Sequence, residues 1–158
     1  MTGRDARRAV DPDVDLHVPA QRAELAAPAR WRVLAAIAVG GVIGAQARYV
    51  LGMVLPHRAG GFPWATLLTN VSGCLLIGVL MVLVTERYRA HPLARPLLGV
   101  GVLGGYTTFS TYTVEALGAV VAGRPWIALG YVVVTPLLAV AAATLGVVVT
   151  RRWAGVRR

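Results

Sequence analysis

The chain has 158 residues, a net charge of +9 and a hydrophobic content of 56%, with a mean hydropathy of +0.63. Its apolar residues are gathered into long blocks that leave little for a soluble domain, and most of its sixteen positive charges, all arginine, flank those blocks. That sets aside a soluble enzyme and a nucleic-acid binder and points to a polytopic membrane protein.

A bilayer core of about 30 Å takes roughly 20 apolar residues per helix. Four blocks reach that length, about 33–55, 64–85, 97–122 and 126–149, within a transmembrane domain of 31–152 followed by a basic tail, 153–158. Residues 1–30 carry Arg4, Asp5, Arg7, Arg8, Asp11, Asp13, Asp15 and Glu24 with three prolines. Without a sustained apolar period they cannot offset chain entropy, so a mostly disordered extension is expected, with at most a short interfacial helix over Ala20 to Ala29. The first block is too long and too glycine-rich for a cleaved secretory signal and is expected to stay.

In the first span Gly40, Gly41 and Gly44 allow a partner helix to approach closely. Arg48 either snorkels to the interface or faces a water-filled vestibule, where it would attract an anion. Loop one, Pro56 to Pro63, is short and turn-rich. The second span places Asn70 among Thr66, Thr69 and Ser72. An amide offers two N–H donors without formal charge, which suits a desolvated anion, although taken by itself the residue is better explained by an interhelical hydrogen bond. Cys74 lies in an apolar run with no metal-ligating neighbours and reads as helix-packing filler.

The third span holds the most informative segment, Gly104-Gly105-Tyr106-Thr107-Thr108-Phe109-Ser110-Thr111-Tyr112. Hydroxyl-rich, glycine-loosened backbone at membrane depth persists only where it is buried in protein or lines an aqueous path. The span is therefore expected to break here and to handle an ion, its freed carbonyls facing a cation and its N–H groups and hydroxyls an anion. Phe109 and Tyr112 can share a face, and a ring edge is electropositive enough to meet an anion. Glu115 caps N–H groups or sits in an aqueous vestibule. Loop three is Gly123-Arg124-Pro125. In the fourth span Tyr131 and Thr135, one turn apart, either continue a polar track or pair with the break.

Trp31, Tyr49, Trp64, Trp126 and Trp153 stand at block ends as headgroup anchors. The N-terminal flank (Arg22, Arg30, Arg32), loop two (Arg87, Arg89, Arg95) and the tail (Arg151, Arg152, Arg157, Arg158) carry ten arginines, against Arg58 and Arg124 in loops one and three. Both termini are expected in the cytoplasm.

Three motifs together resemble the Fluc (CrcB) family of fluoride channels over about residues 33–150: Gly40-Gly41-x-x-Gly44-x-x-x-Arg48-Tyr49, Thr66-Leu67-x-x-Asn70-x-x-Gly73, and the Gly104 to Tyr112 run with Glu115. The resemblance implies an all-α, integral membrane, four-helix subunit with a broken third helix, assembled as an antiparallel dimer in the inner membrane. It implies two fluoride pores and one structural sodium ion, not transported, on carbonyls of Gly104 and Thr107. By position Asn70 contacts fluoride, Phe109 is the first pore aromatic, Thr66 and Ser110 are pore neighbours, Tyr131 and Thr135 begin a polar track, and Arg48 faces the vestibule. Tyr112 replaces a usual phenylalanine as the second aromatic, its hydroxyl either donating to the ion or tilting the ring. Ala139 and Ala143 suggest a shortened track.

A homodimer of this architecture needs nearly unbiased loops, since one sequence inserts both ways. The arginine bias therefore favours a heterodimer with a related chain of opposite bias. The rival class, a proton-coupled four-helix exporter of organic cations, wants a carboxylate deep in the first span, and none is there. No nucleophile and base pair marks an enzyme.

Overall fold

A computed structural model describes residues 27–58, 60–84 and 91–155. The interfacial segment, most of the N-terminal extension, Arg87, Arg89, Arg157 and Arg158 lie outside the described residues. Among the described residues the chain is entirely helical, in six elements: α1 (Ala27–Val54), α2 (Trp64–Val82), α3 (Arg95–Leu103), α4 (Gly104–Tyr106), α5 (Ser110–Val121) and α6 (Pro125–Trp153). By length and composition α1, α2 and α6 can each cross a membrane.

The first helix starts at Ala27, earlier than the block boundary at 33 and inside the stretch assigned to the extension. Pro28 does not prevent this, because a first-turn residue needs no N–H partner and proline's fixed φ is already helical. Prolines likewise stand at the start of α3 and of α6. The last helix runs on through Arg151 and Arg152 to Trp153, past the expected end at 149. Cationic side chains there complement the negative helix terminus.

The segment Arg95–Leu103 is π-helical, a wide coil that carries straight into the single α-turn Gly104–Tyr106. At Thr107 the backbone turns extended, with φ −76° and ψ 158°, and helix resumes at Ser110. Gly123, at φ +73°, closes the turn into α6.

Two helix couples make the bundle. α1 lies along α3 and α4, while α2 lies along α6, with α5 packed mainly on α6 and touching α2. Glycines set the spacing in both couples. A Cβ on Gly40 would strike the Leu97 carbonyl, and one on Gly101 would stand 2.8 Å from the Ile37 carbonyl. In the second couple a Cβ on Gly78 would strike the Ala143 carbonyl and one on Gly146 the Leu75 carbonyl. With no aqueous hydrophobic effect to drive helices together in lipid, such backbone-to-backbone approach supplies dispersion contact that larger side chains would forbid.

The central cluster is small: Leu67, Ala116 and Tyr131, with Phe62, Val71 and Tyr112 packed against it. Large apolar side chains such as Val42, Leu117, Leu137 and Val140 point outward, as a surface in contact with lipid or a protein partner requires. Trp31, Tyr49, Trp64, Trp126 and Trp153 are all exposed at the helix ends.

Candidate functional site

The site grows from the interruption between α4 and α5. Where a helix stops, its last carbonyls and the next helix's first N–H groups need other partners. Asn70, on the adjacent α2, supplies two. Its Nδ2 donates to the Thr108 carbonyl at 2.9 Å, and its Oδ1 accepts the Thr108 N–H at 2.8 Å. The side-chain amide thus pairs with one residue's backbone as a neighbouring strand would. One Nδ2 proton is committed in this way, and the other is available to a ligand.

Thr108 carries the next step. Its Oγ1 accepts the Thr111 N–H at 3.2 Å in the first turn of α5 and donates to Thr111 Oγ1 at 3.1 Å. Ser110 is exposed, its hydroxyl 3.4 Å from that of Thr108. Below the interruption Thr107 N–H and Oγ1 both donate to the Leu103 carbonyl, at 3.0 and 2.9 Å. Ser72 and Tyr106 hydroxyls meet at 3.0 Å and tie α2 to the last turn before the interruption.

These bonds have a joint consequence. In an unbroken helix the Thr108 N–H would donate to the Gly104 carbonyl, and the Thr111 N–H to the Thr107 carbonyl. Both N–H groups are diverted, one to Asn70 and one to Thr108 Oγ1. The Gly104 and Thr107 carbonyls lose their helical donors, and no Cβ at Gly104 covers the first of them.

Two open cavities flank this structure. The first, about 790 Å³, is lined by Arg48, Thr66, Thr69, Thr111 and Glu115, with His57 at the loop-one end. Here Glu115 is held by hydroxyls: Thr66 Oγ1 donates to its Oε1 at 2.9 Å, and Tyr131 Oη donates to its Oε2 at 2.9 Å. The same cavity holds the guanidinium of Arg48, so a cation and a carboxylate face one volume. Thr66 and Tyr131, expected beside the pore, are buried as partners of this carboxylate.

The second cavity, about 680 Å³, gathers Asn70, Gly104, Thr107, Phe109, Tyr112 and Thr135. Phe109 is 79% exposed. Thr135 Oγ1 is buried and has no hydrogen-bond partner. Cys74 also borders this volume. Ala139 lines the wall beyond Thr135, where a further hydroxyl would continue a polar path.

A row of aromatic rings runs from the interruption toward loop one. Phe109 and Tyr112 centroids are 5.7 Å apart, Tyr112 and Tyr131 5.0 Å, Tyr131 and Phe62 5.5 Å, and Phe62 and Trp64 4.6 Å. The first two members were legible from their spacing. Phe62, in loop one, gave no signal beyond its place beside Pro63. Thr108 was visible only as one hydroxyl among several, because its role depends on the register of α2 against a segment 38 residues away. Tyr112 Oη donates to the Val132 carbonyl on α6 at 2.8 Å.

The arrangement offers sparse N–H and O–H donors, aromatic rings and two carbonyls without helical donors, on mostly apolar cavities within the bundle. That is equipment for holding ions rather than for bond chemistry, and among the described residues no cluster of His, Cys, Asp and Glu could hold a transition metal.

Residues 35–147 match the profile of the family described as CrcB-like protein, Camphor Resistance (CrcB). The chain is similar to Fluoride-specific ion channel FluC 2 of Streptomyces avermitilis, 46% identical over 125 residues, covering 79% of this chain and 78% of that one. It is also similar to Fluoride-specific ion channel FluC 1 of Streptomyces coelicolor, 48% identical over 133 residues, or 80% and 86% of the two chains. A third such protein, FluC 2 of Nocardia farcinica, is 47% identical over 135 residues, 82% of this chain and 96% of its own. With that extent of likeness and several helices apolar enough to span a bilayer, this multi-pass membrane protein belongs to the CrcB family.

Proposed function

We propose that the chain is a subunit of a passive fluoride channel that lowers cytoplasmic fluoride, an anion that enters as neutral HF and is trapped as the ion. The observation that carries this is the second cavity. There one uncommitted Asn70 N–H, the unpartnered Thr135 hydroxyl and the Phe109 edge face a common volume beside the interruption at Thr107. A small, strongly hydrated anion is desolvated only if donors replace its water, and few donors in a narrow route favour the smallest halide. The names of the relatives support the same reading.

The ion's entry lies at the first cavity. Arg48 raises the local anion concentration, and Glu115, its oxygens occupied by Thr66 and Tyr131, is kept from presenting a bare carboxylate to the path. Thr111, on the first turn of α5, lines the first volume and accepts a hydrogen bond from Thr108, which lines the second.

A structural sodium ion fits the donor set. The Gly104 and Thr107 carbonyls, deprived of helical N–H partners by Asn70 and Thr108, are hard oxygen ligands of the kind an alkali cation takes. Bound there, the ion supplies fixed positive charge that holds the segment extended. Two carbonyls cannot satisfy such a cation, so a second subunit contributing the same pair completes the site. The outward apolar faces and the exposed Gly104 support an antiparallel dimer, and the arginine bias favours a related partner of opposite bias. Both termini of this chain are then on the cytoplasmic side of the inner membrane.

The test is anion efflux from liposomes containing the purified chain, alone and with an oppositely biased family member. Fluoride efflux at least about a hundredfold faster than chloride, dependent on sodium, is expected for the pair. Absence of fluoride selectivity in both preparations rejects the channel reading. Robust flux from the single chain, with tags found on both faces, rejects the obligate heterodimer.

A further inference from the structure

Pro136 lies in the middle of α6, and its ring nitrogen carries no proton, so the Val132 carbonyl one turn earlier loses its helical donor. In lipid a carbonyl in that position must find another. The Tyr112 hydroxyl donates to that carbonyl, at 2.8 Å. The ring itself is wedged between Phe109 on one side and Tyr131 on the other. We infer that the Tyr112 hydroxyl is a latch onto the proline-freed carbonyl of α6 and not an ion donor, and that Pro136 is thereby a positioning residue for the second pore aromatic.

The inference rests on the fluoride-channel reading only for the claim that Tyr112 borders the ion route. Its chemistry follows from the proton count. A phenol has one O–H, and once that proton is given to Val132 the oxygen turns only lone pairs toward its surroundings. An anion is repelled by those lone pairs and attracted to the ring's C–H edge. The two neighbouring aromatics are therefore unequal: Phe109 is largely uncovered and held by no polar contact, whereas Tyr112 is fixed at its tip. The latch also couples α5 to α6 at the level of Thr135, the next residue along α6 before the proline and the one whose buried hydroxyl has no partner. Tyr112 thus helps hold a wall on which another side chain offers the donor.

The experiment is a double-mutant cycle on the full-length chain in detergent, comparing wild type, Tyr112→Phe, Pro136→Ala and the double variant by thermal unfolding, with fluoride and chloride efflux measured in liposomes. Tyr112→Phe leaves the Val132 carbonyl bare in the proline background and lowers the unfolding midpoint by roughly 2–4 °C. In the alanine background residue 136 supplies its own N–H to Val132, and the same change costs less than about 1 °C. Equal drops in both backgrounds overturn the latch. A tenfold fall in the fluoride-to-chloride efflux ratio of Tyr112→Phe, which would mean that the hydroxyl serves the ion, also overturns the latch. Should Pro136→Ala fail to insert, Pro136→Ser restores the same N–H and takes its place in the cycle. A wild-type chain that passes no fluoride either alone or together with an oppositely biased family member removes the channel reading, and the thermal cycle still decides the latch by itself.

Discussion

Asn70 and Thr108, 38 residues apart, are joined by a ring of two hydrogen bonds, amide to backbone in both directions. The side chain of one helix thereby stands in for missing secondary structure in another. Losing either half leaves a backbone group unsatisfied in a bundle that offers it no water, which costs about 1–3 kcal/mol.

Asn70→Ala and Asn70→Asp separate the two duties of this residue. The alanine variant loses both bonds, so it is expected to unfold about 5–10 °C lower and to pass no fluoride. The aspartate keeps an acceptor for the Thr108 N–H but loses the donors and places negative charge on the anion's route. It retains more of the fold than the alanine variant and still conducts at least tenfold less. Unchanged fluoride efflux in Asn70→Asp removes this side chain from the pathway.

Thr135 yields a prediction of opposite signs. A buried hydroxyl without a partner destabilises its own fold. Replacing it by the nearly isosteric valine should raise the unfolding midpoint by a few degrees and lower fluoride efflux roughly tenfold or more. A residue present only for packing would lower both or move neither. Thermal unfolding in detergent and efflux from liposomes, measured on the same preparation, decide the point.

The helical blocks were legible in the sequence because bilayer thickness sets a length and apolar side chains fill it. Their ends were less so. Pro28 reads as a breaker in sequence yet sits comfortably in a first helical turn, and Arg151 and Arg152 read as tail yet lie within the last. At the site, residue types pointed to polar function, and the partners did not follow from them. Tyr131 read either as part of a polar track or as a partner for the third span, and Glu115 as a cap or a vestibule charge; the two bind one another. Asn70 left two readings open, a bundle bond or an anion contact, and its amide geometry accommodates both, since only one of its Nδ2 protons is committed. The Tyr112 contact is to a backbone oxygen, which no side-chain pattern encodes; only Pro136, twenty-four residues on, marks that such an oxygen exists.

Small residues in the third segment should divide into two classes. A methyl on Gly101 meets the backbone of α1, so Gly101→Ala is expected to disturb the subunit itself. A methyl on Gly104 meets nothing within 4 Å in the chain. Gly104→Ala should therefore insert and retain its helix content, while crowding whatever lies across from it. In the proposed dimer that means subunit separation and loss of sodium-dependent stabilisation, read by size-exclusion chromatography and thermal unfolding with and without sodium. A dimer as stable as wild type would place Gly104 away from the interface.

Glu115→Gln tests the hydroxyl-bound carboxylate. The amide can accept from only one of Thr66 and Tyr131 and presents an N–H₂ to the other. A loss of about 1–3 kcal/mol in stability is expected, with reduced efflux, and Tyr131→Phe in the same background should add little. Full additivity of the two changes would show that they do not act through one another.

The pairing of α1 with α3 and of α2 with α6 bears on how the protein is made. The first two helices to leave the ribosome share few surfaces, so each waits in the bilayer for a partner still being synthesised. A chain interrupted after its second helix would present Gly40 and Gly78 as vacant seats to any passing hydrophobic segment, and would be an early target for membrane quality control.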